Sequence, residues 1–258
     1  MLINRNVCES DLKNEICNGL DRLGIQQGDT LLVHSSLKSL SYERIDADLV
    51  LEALLGFLTK QGTLLMPSLS YITVNSSAPN FLLNGTPSCV GALTEAFRAF
   101  QGTVRSLHPT HSVCANGKYA YELTEAHFKD TTPVGPNSPF SLLPNYDGKI
   151  LFIGCGITPN TSMHGVEEAV STPYLMNKEK TRFILRDRNG KTSEVHHYTH
   201  DFKGYVQRYD RIIDYLEESD YKEGNIMEAR SCVINSKSLW IKGSQTLKIN
   251  PYTFVDRI

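Results

Sequence analysis

Several features that would place a protein in a special class are missing from this sequence. It has no block of basic residues and a formal net charge of only −2, so nothing indicates a nucleic-acid partner. It also has no apolar run of membrane-spanning length and no charged-then-apolar segment typical of a secretory signal. We therefore expect a cytosolic (cytoplasmic) protein without a membrane partner.

Cysteine is sparse and forms no recognisable pattern. The six cysteines lie at positions 8, 17, 89, 114, 155 and 232, with neither a CxxC pair nor the spacing of zinc ligands. A chain of 258 residues can bury enough apolar surface to fold without disulfides, so we expect reduced and mainly buried thiols. Its 40% apolar and 21% charged residues are typical of a globular protein, and we favour one domain over residues 1–258.

The apolar residues that are present alternate between a helical and a strand pattern. Helical spacing predicts helices at 8–24, 46–59, 90–100 and 118–127, and short apolar runs predict buried strands near 30–34, 62–67, 111–115 and 150–153. Residues 70–90, rich in Ser, Asn, Pro and Gly, predict a long loop. Further along, the sequence predicts a hairpin of strands 182–186 and 194–198, a helix at 202–216, and short strands at 231–234 and 238–241.

The segment 148–169 carries the most chemistry. Its strand ends at Gly154 and Gly156, and the polar turn that follows predicts a helix beginning near Thr161 or Ser162. His164 and Glu167 are three residues apart and so share one helix face, where the carboxylate can orient the imidazole as a general base. The same pattern also fits a plain strand–turn–helix joint in which Ser162 and the glutamates only cap the helix.

Other residue patterns leave alternatives open. Cys155 or Cys114 could form an acyl-enzyme, although Cys155 lies where a strand end favours a small buried residue. His196, His197 and His200 could bind a metal, or face the surface or a substrate. The acidic run at 214–220 is typical of a solvated helix face, and could instead attract a cationic substrate.

Six segments occur in the order in which one known family carries them. They are VHSSL (33–37), GTLLMP (62–67), RSLHPTHSVCANG (105–117), LTEAH (123–127), GPNSPFSLL (135–143) and NTSMHGVEEA (160–169). Through them the chain resembles the aminoglycoside 3-N-acetyltransferase family, whose members use acetyl-CoA. The resemblance extends over residues 10–256, is strongest at 28–170, and is loose after 175.

The resemblance implies an α/β fold, a three-layer α/β/α sandwich with a mixed central sheet. It implies acetyl-CoA as co-substrate, a small-molecule amine as acceptor and no metal, and it leaves a homodimer open. His164 and Glu167 match the catalytic NTxxHxxE pattern of the family. The positions that match its cofactor path are Ser35, Ser36, Arg105, His111, Ser112 and Val113.

The resemblance also implies direct transfer within a ternary complex, with His164 removing a proton from the amine. Asp201 matches a substrate position, and Asp214, Glu217, Glu218, Asp220 and Glu223 are further acidic candidates for holding a polycation. The last third of the chain departs from the resistance enzymes. A biosynthetic N-acyltransferase for a nucleotide-linked amino sugar of a surface polysaccharide is therefore an alternative, as is a non-catalytic CoA-binding module.

Overall fold

The computed structural model describes residues 9–41 and 45–258, so Cys8 lies outside the described residues. The helices are α1 (Glu9–Arg22), α2 (Ala47–Leu58), α3 (Ala92–Ala99), α4 (Ala120–Thr124), α5 (Pro139–Leu142), α6 (Thr161–Val170) and α7 (Ser236–Ile249). The strands are β1 (Thr30–Ser35), β2 (Thr63–Pro67), β3 (Asn80–Leu82), β4 (Val104–Arg105), β5 (Val113–Gly117), β6 (Lys149–Ile153), β7 (Thr181–Arg186), β8 (Thr192–His197), β9 (Tyr205–Gln207), β10 (Tyr221–Ile226), β11 (Ala229–Asn235) and β12 (Val255–Arg257). In the described ranges no helix is long and apolar enough to span a lipid bilayer.

A mixed sheet forms the centre of the protein. Within the described residues its seven strands run in the order β10-β11-β6-β1-β2-β5-β4. The central strands β6, β1 and β2 are parallel, and antiparallel neighbours extend the sheet on both sides. Ligands of such sheets bind beyond the carboxyl ends of the parallel strands, which places the expected site after Ser35, Pro67 and Ile153.

Helices cover both faces of this sheet. Because successive side chains of a strand point to opposite faces, Leu31 and Val33 of β1 pack in one core, while Leu32 packs in the other. The first core includes α1, α2 and α3, and the second includes residues of α4 to α7. The predicted three-layer α/β/α architecture with a mixed sheet is therefore confirmed.

Two smaller sheets stand beside the main one. The predicted hairpin is confirmed as β7 and β8, which pair antiparallel, and β3 joins β7 in parallel. The predicted loop at 70–90 is therefore partly wrong, because it contributes β3. Strands β9 and β12 form a separate antiparallel pair.

Three other local predictions need correction. The stretch 202–216 is not one helix, because Phe202 and Gly204 adopt positive φ angles and break it into β9 and a 3-10 turn, Tyr209–Tyr215. Residues 238–241 are not a strand but part of α7, whose first turn is capped by the side chain of Asn235 accepting from the amide of Ser238. The helix predicted at 118–127 is only the short α4, followed by a 3-10 turn, His127–Lys129.

Candidate active site

The site begins at the joint between β6 and α6, as the sequence predicts. Gly154 has a φ of 64°, and a side chain there would collide with Ser39 and Ala229, so only glycine fits. The side chain of Asn160 then accepts a hydrogen bond from the amide of Ser162 and starts α6 at Thr161. This turn sets His164 at the carboxyl edge of the sheet.

A cleft of about 1470 Å³ opens at this edge. It exceeds the roughly 300–1,000 Å³ of ordinary small-molecule sites and has room for two substrates. The polar and charged residues in its wall include His34, Ser35, Asn75, Thr110, His111, Thr158, His164, Asn177, Lys178, Glu179, Lys180, Thr199, His200, Asp201, Lys203 and Tyr209. The structure thus brings His164, Ser35, His111 and Asp201, all predicted site residues, to one cavity.

His164 is connected to Glu167 through a tyrosine. The Nδ1 atom of His164 lies 2.7 Å from the hydroxyl of Tyr209, which donates a 2.6 Å hydrogen bond to Oε2 of Glu167. The direct distance between Nδ1 and Oε2 is 3.6 Å. Tyr174 donates a second 2.6 Å hydrogen bond to Oε1 of the same carboxylate, which is fully buried.

Counting protons in this network assigns the tautomer of His164. The single hydroxyl hydrogen of Tyr209 goes to the carboxylate of Glu167, so its oxygen must accept from His164. Nδ1 of the neutral imidazole therefore carries the hydrogen, and Nε2 keeps a free lone pair. That lone pair is what a general base needs.

A second histidine and carboxylate lie beside the first pair. Nε2 of His200 is 2.8 Å from Oε1 of Glu168, which also accepts from the amide of Val134. The rings of His200 and His164 are 4.8 Å apart between centroids, and Phe202 packs against both. Burial and the nearby His164 lower the pKa of His200 well below its usual value, and burial raises the pKa of Glu168.

More imidazoles continue behind this pair. The ring of His111 contacts that of His200 at 5.0 Å, and His108 stacks on His127 at 4.7 Å and contacts His197 at 5.0 Å. Burial lowers the pKa of His127 to about 3 and that of His197 to about 4. The group is therefore uncharged at neutral pH.

His34 is a further uncharged imidazole in the cleft wall. It lies in β1, next to the last residue of that strand, and stacks on Phe152 with ring centroids 5.1 Å apart. Its Nε2 is buried with no partner among the described residues. Burial, helped by His164, lowers its pKa to about 3. Buried polar atoms usually have a hydrogen-bond partner, so this nitrogen is an exception in the wall of the cleft.

The residues predicted to contact the cofactor divide into two groups. Ser35 and His111 line the cleft, whereas Ser36, Arg105, Ser112 and Val113 are absent from its wall. Ser36 accepts a hydrogen bond from Ser39 in the turn after β1. Val113 is buried in β5, where it pairs with Pro67.

Arg105 does not face the cleft. Its guanidinium donates to the main-chain oxygens of Ser68, Leu83 and Thr86 and to the hydroxyl of Ser112. The side chain is buried, and burial lowers its pKa to about 10. These contacts hold loop 68–86 against β4, which is a structural role, and the phosphate contact of Arg105 stays a prediction.

Neither cysteine considered for an acyl-enzyme is in an environment that favours its thiolate. Cys155 lines the cleft, but burial raises the pKa of its thiol to about 11. Cys114 is fully buried, and its pKa is also raised to about 11. Because the thiolate is the nucleophile, both thiols are poorly placed for covalent catalysis.

The three clustered histidines point to different partners. His196 is 55% exposed on β8, His197 contacts His108, and His200 contacts Glu168. In the described part of the chain, no group of three or more His, Cys, Asp or Glu side chains is arranged to hold a metal ion. Of the three, only His200 lines the cleft.

Sequence reasoning missed Tyr209, Tyr174, Glu168 and Phe202 as parts of the site. The tyrosines are 42 and 7 residues from Glu167, and no local spacing connects Tyr209 with α6. A weak signal did exist for Glu168, because it follows Glu167 directly and lies four residues after His164. Phe202 could not be found, since its positive φ is imposed by the surrounding structure.

Comparisons with known proteins point to one family. The family profile described as aminoglycoside 3-N-acetyltransferase matches residues 32–248. Aminoglycoside N(3)-acetyltransferase IV of Salmonella sp is 29% identical over 247 residues, covering 94% of this chain and 90% of that protein. The structure of AAC-VIa bound to sisomicin shares 25% identity and a TM-score of 0.76, covering 92% of this chain and 97% of that one. The structure of AAC-IIIb with CoASH has 21% identity and a TM-score of 0.79, covering 92% of this chain and 96% of that one.

Proposed function

Because this chain belongs to the aminoglycoside 3-N-acetyltransferase family, we propose that it transfers the acetyl group of acetyl-CoA to a primary amine of an amino sugar or aminoglycoside. The observation that carries the proposal is the linked set His164, Tyr209 and Glu167, of which His164 and Tyr209 line a cleft large enough for two substrates. Both substrates would bind at the same time, so that the acetyl group moves directly to the amine.

The polar groups in the cleft wall suit the binding of acetyl-CoA. Ser35 and the imidazoles of His34 and His111 offer hydrogen bonds along the carboxyl ends of the parallel strands. Solved relatives include a binary complex with CoASH. Ser35 and His111 would contact the cofactor directly, while Ser36, Arg105, Ser112 and Val113 would support the wall behind them.

His164 would act as the general base. Acetyl-CoA supplies a thioester carbonyl that an uncharged amine can attack, whereas an aliphatic amine is mostly protonated at neutral pH, with a pKa of about 10.4 for lysine. The Nε2 lone pair of His164 would accept the proton, and Tyr209 with Glu167 would stabilise the imidazolium that forms. Such a positioned base contributes about a hundredfold to ten-thousandfold to the rate.

The charges in the cleft wall support a second candidate for the acceptor, an amino sugar that carries a phosphate. Its wall contains Lys178, Lys180 and Lys203 against Glu179 and Asp201. A polycation would meet these lysines, whereas an amino sugar that carries a phosphate, such as a nucleotide-linked one, would be attracted. This supports the biosynthetic alternative.

The acidic residues of the last third lie elsewhere. Of the six acidic candidates for a substrate site, Asp201 alone lines the cleft in the described structure. Glu217 pairs with Lys242 and Glu223 with Arg230, while Asp220 accepts from the hydroxyl of Ser238. Asp201 would therefore be the acidic contact for an acceptor amine.

The test is release of CoA thiol from acetyl-CoA with a panel of acceptors. The panel contains sisomicin, other 2-deoxystreptamine aminoglycosides, D-glucosamine and several nucleotide-linked amino sugars. Turnover of an aminoglycoside supports the first candidate, and turnover restricted to the nucleotide-linked sugars supports the second. Binding of acetyl-CoA without transfer to any member would reject both and favour a non-catalytic CoA-binding module.

Variants connect any activity to the site. His164→Ala should lower turnover by about a hundredfold or more, because the base is lost. The matched control is His196→Ala, which removes an exposed imidazole outside the cleft and should leave turnover unchanged. Full activity in His164→Ala would exclude the general-base role.

A further inference from the structure

We propose that His200, held by Glu168, is a second proton acceptor for the substrate amine, so that two neutral imidazoles share the deprotonation of one nitrogen. This inference rests on the acetyl-transfer function proposed above and goes beyond it. It assigns a catalytic role to a histidine and a glutamate that lie outside the His164 and Glu167 pair.

The proton balance of the reaction creates the need for two acceptors. An ammonium group must lose one proton before its nitrogen has a lone pair to attack with. The carbon–nitrogen bond then forms and the carbon–sulfur bond breaks, and the nitrogen loses a second proton to become an amide. One of the two protons goes to the departing thiolate and the other to solvent, so two protons leave the same nitrogen in each turnover.

Helix α6 holds both imidazoles in place. Glu167 orients His164 through Tyr209, and Glu168 on the next position binds His200 directly at 2.8 Å. The two rings are 4.8 Å apart between centroids, and both residues line the cleft. A single nitrogen bound between them could reach both rings.

Each ring keeps one nitrogen for the substrate. Nε2 of His200 donates to the carboxylate of Glu168, so Nδ1 of the neutral ring has the lone pair. No hydrogen bond within the described ranges involves Nδ1 of His200 or Nε2 of His164, and neither atom is among the buried, unpartnered ones. Two accessible lone pairs therefore border one cavity.

The environment of His200 keeps its imidazole uncharged before the reaction. Burial and His164 lower its pKa well below the ordinary value. The titratable groups in contact with it are His111, His164 and Glu168. The cleft wall that it shares also contains Lys178, Glu179, Lys180, Asp201, Lys203 and Tyr209. Because two adjacent imidazolium ions repel each other, the two rings would be protonated one after the other.

A purely structural role would look different in experiment. The contact between His200 and Glu168 also ties the loop after β8 to α6. If that were its whole contribution, losing it would lower activity equally at every pH. If His200 is instead a proton acceptor, its loss makes turnover depend on the fraction of the substrate amine that is already deprotonated in solution.

The first experiment compares His200→Gln with the wild type, using the panel acceptor that is turned over fastest. The glutamine amide can still donate to Glu168 but is not a base. We expect kcat/KM to fall about a hundredfold at neutral pH and to recover about tenfold per pH unit up to the pKa of the amine. His196→Gln, at an exposed position on β8, is the matched control.

A loss that does not change with pH, or a kcat/KM within about threefold of the wild type at all pH values, would overturn the proposal. The second experiment needs no acceptor. Imidazole ¹⁵N spectra of the whole protein, assigned with His200→Gln, should show His200 neutral and unprotonated at Nδ1 at neutral pH. An imidazolium at His200 would overturn the proposal, whereas absence of turnover with every acceptor would reject the proposed function alone.

Discussion

The hydroxyl of Tyr209 bridges Glu167 and His164 by hydrogen bonds. The two contacts of this hydroxyl are 2.7 Å and 2.6 Å long, shorter than the 3.6 Å between the imidazole and the carboxylate. A hydroxyl that donates to a carboxylate and accepts from an imidazole transmits the negative charge while fixing the tautomer. The tyrosine therefore belongs to the proposed general base as much as the glutamate does.

Tyr209→Phe should reduce kcat about tenfold to a hundredfold with a smaller effect on the KM for acetyl-CoA, because His164 loses its hydrogen-bond acceptor. It should also cost about 1–3 kcal/mol of unfolding free energy, since Oε2 of Glu167 is left unpaired. Tyr174→Phe removes a bond to the other oxygen and should destabilise similarly with less effect on kcat. Steady-state kinetics and urea unfolding measure both quantities.

The control for these variants is Tyr215→Phe, which alters a tyrosine at the exposed end of the same 3-10 turn. It should change neither kcat nor stability. If Tyr209→Phe were as active as Tyr215→Phe, the tyrosine connection would have no catalytic role.

The protein should lose stability as the pH falls. Burial lowers the pKa of His34 and His127 to about 3 and of His197 to about 4. Below about pH 6.5 these histidines bind protons in the unfolded chain but not in the folded protein. Their contribution to the free energy of unfolding is therefore fully present above that pH and is lost as the pH falls towards 3–4. The raised pKa values of Glu168 and Asp130 oppose this loss in part, because those carboxyls take up protons more readily when folded.

The measurement is the urea midpoint at several values between about pH 7.5 and pH 5.5, where each such proton changes the free energy of unfolding by about 1.4 kcal/mol per pH unit. Replacing the exposed His196 with Asn should leave the slope unchanged. A midpoint that is constant over this range would show that the buried histidines titrate in the folded protein as they do in the unfolded chain.

Arg105→Lys should destabilise the protein without weakening the binding of acetyl-CoA. A lysine cannot reach all three carbonyl oxygens, and each buried one left unpaired costs about 1–3 kcal/mol. We expect a loss of at least about 2 kcal/mol in urea unfolding, with the KM for acetyl-CoA within about twofold of the wild type. Arg182→Lys, on the exposed surface of β7, is the matched control and should be neutral.

A large rise in KM for Arg105→Lys, in protein shown to be folded, would instead restore Arg105 to the cofactor site. The structural role predicts that the melting temperature changes and KM does not.

Gly165→Ala should destabilise α6 by overpacking. A methyl group there would lie 2.6 Å from both the Trp240 ring and the Val134 side chain, and such crowding costs about 1–3 kcal/mol. Gly56→Ala is the control, because it also lies inside a helix but has no atom within 4 Å of the new methyl group. It should stabilise by about 0.5–1 kcal/mol. Equal effects of the two substitutions would contradict the packing of Trp240 against α6.

Before α6, periodicity identified α1, α2, α3, β1, β2, β5 and β6, whereas the short β3, β4 and α5 were not predicted. The later part was harder. Residues 238–241 are a short apolar run, which suits either a strand or a helix, and the cap by Asn235 together with packing of Leu239 in the core decides for α7. In 202–216 the positive φ of Phe202 overrides the helical pattern.

The sequence by itself determined that His164 and Glu167 share a helix at the end of a buried strand, because both facts depend on spacing along the chain. The tertiary structure alone decided that Tyr209 stands between them, that Glu168 holds His200, and that Arg105 supports a loop. These contacts join residues 32 to 45 positions apart, and which of them meet depends on how strands, turns and loops pack. Local periodicity carries no information on that packing.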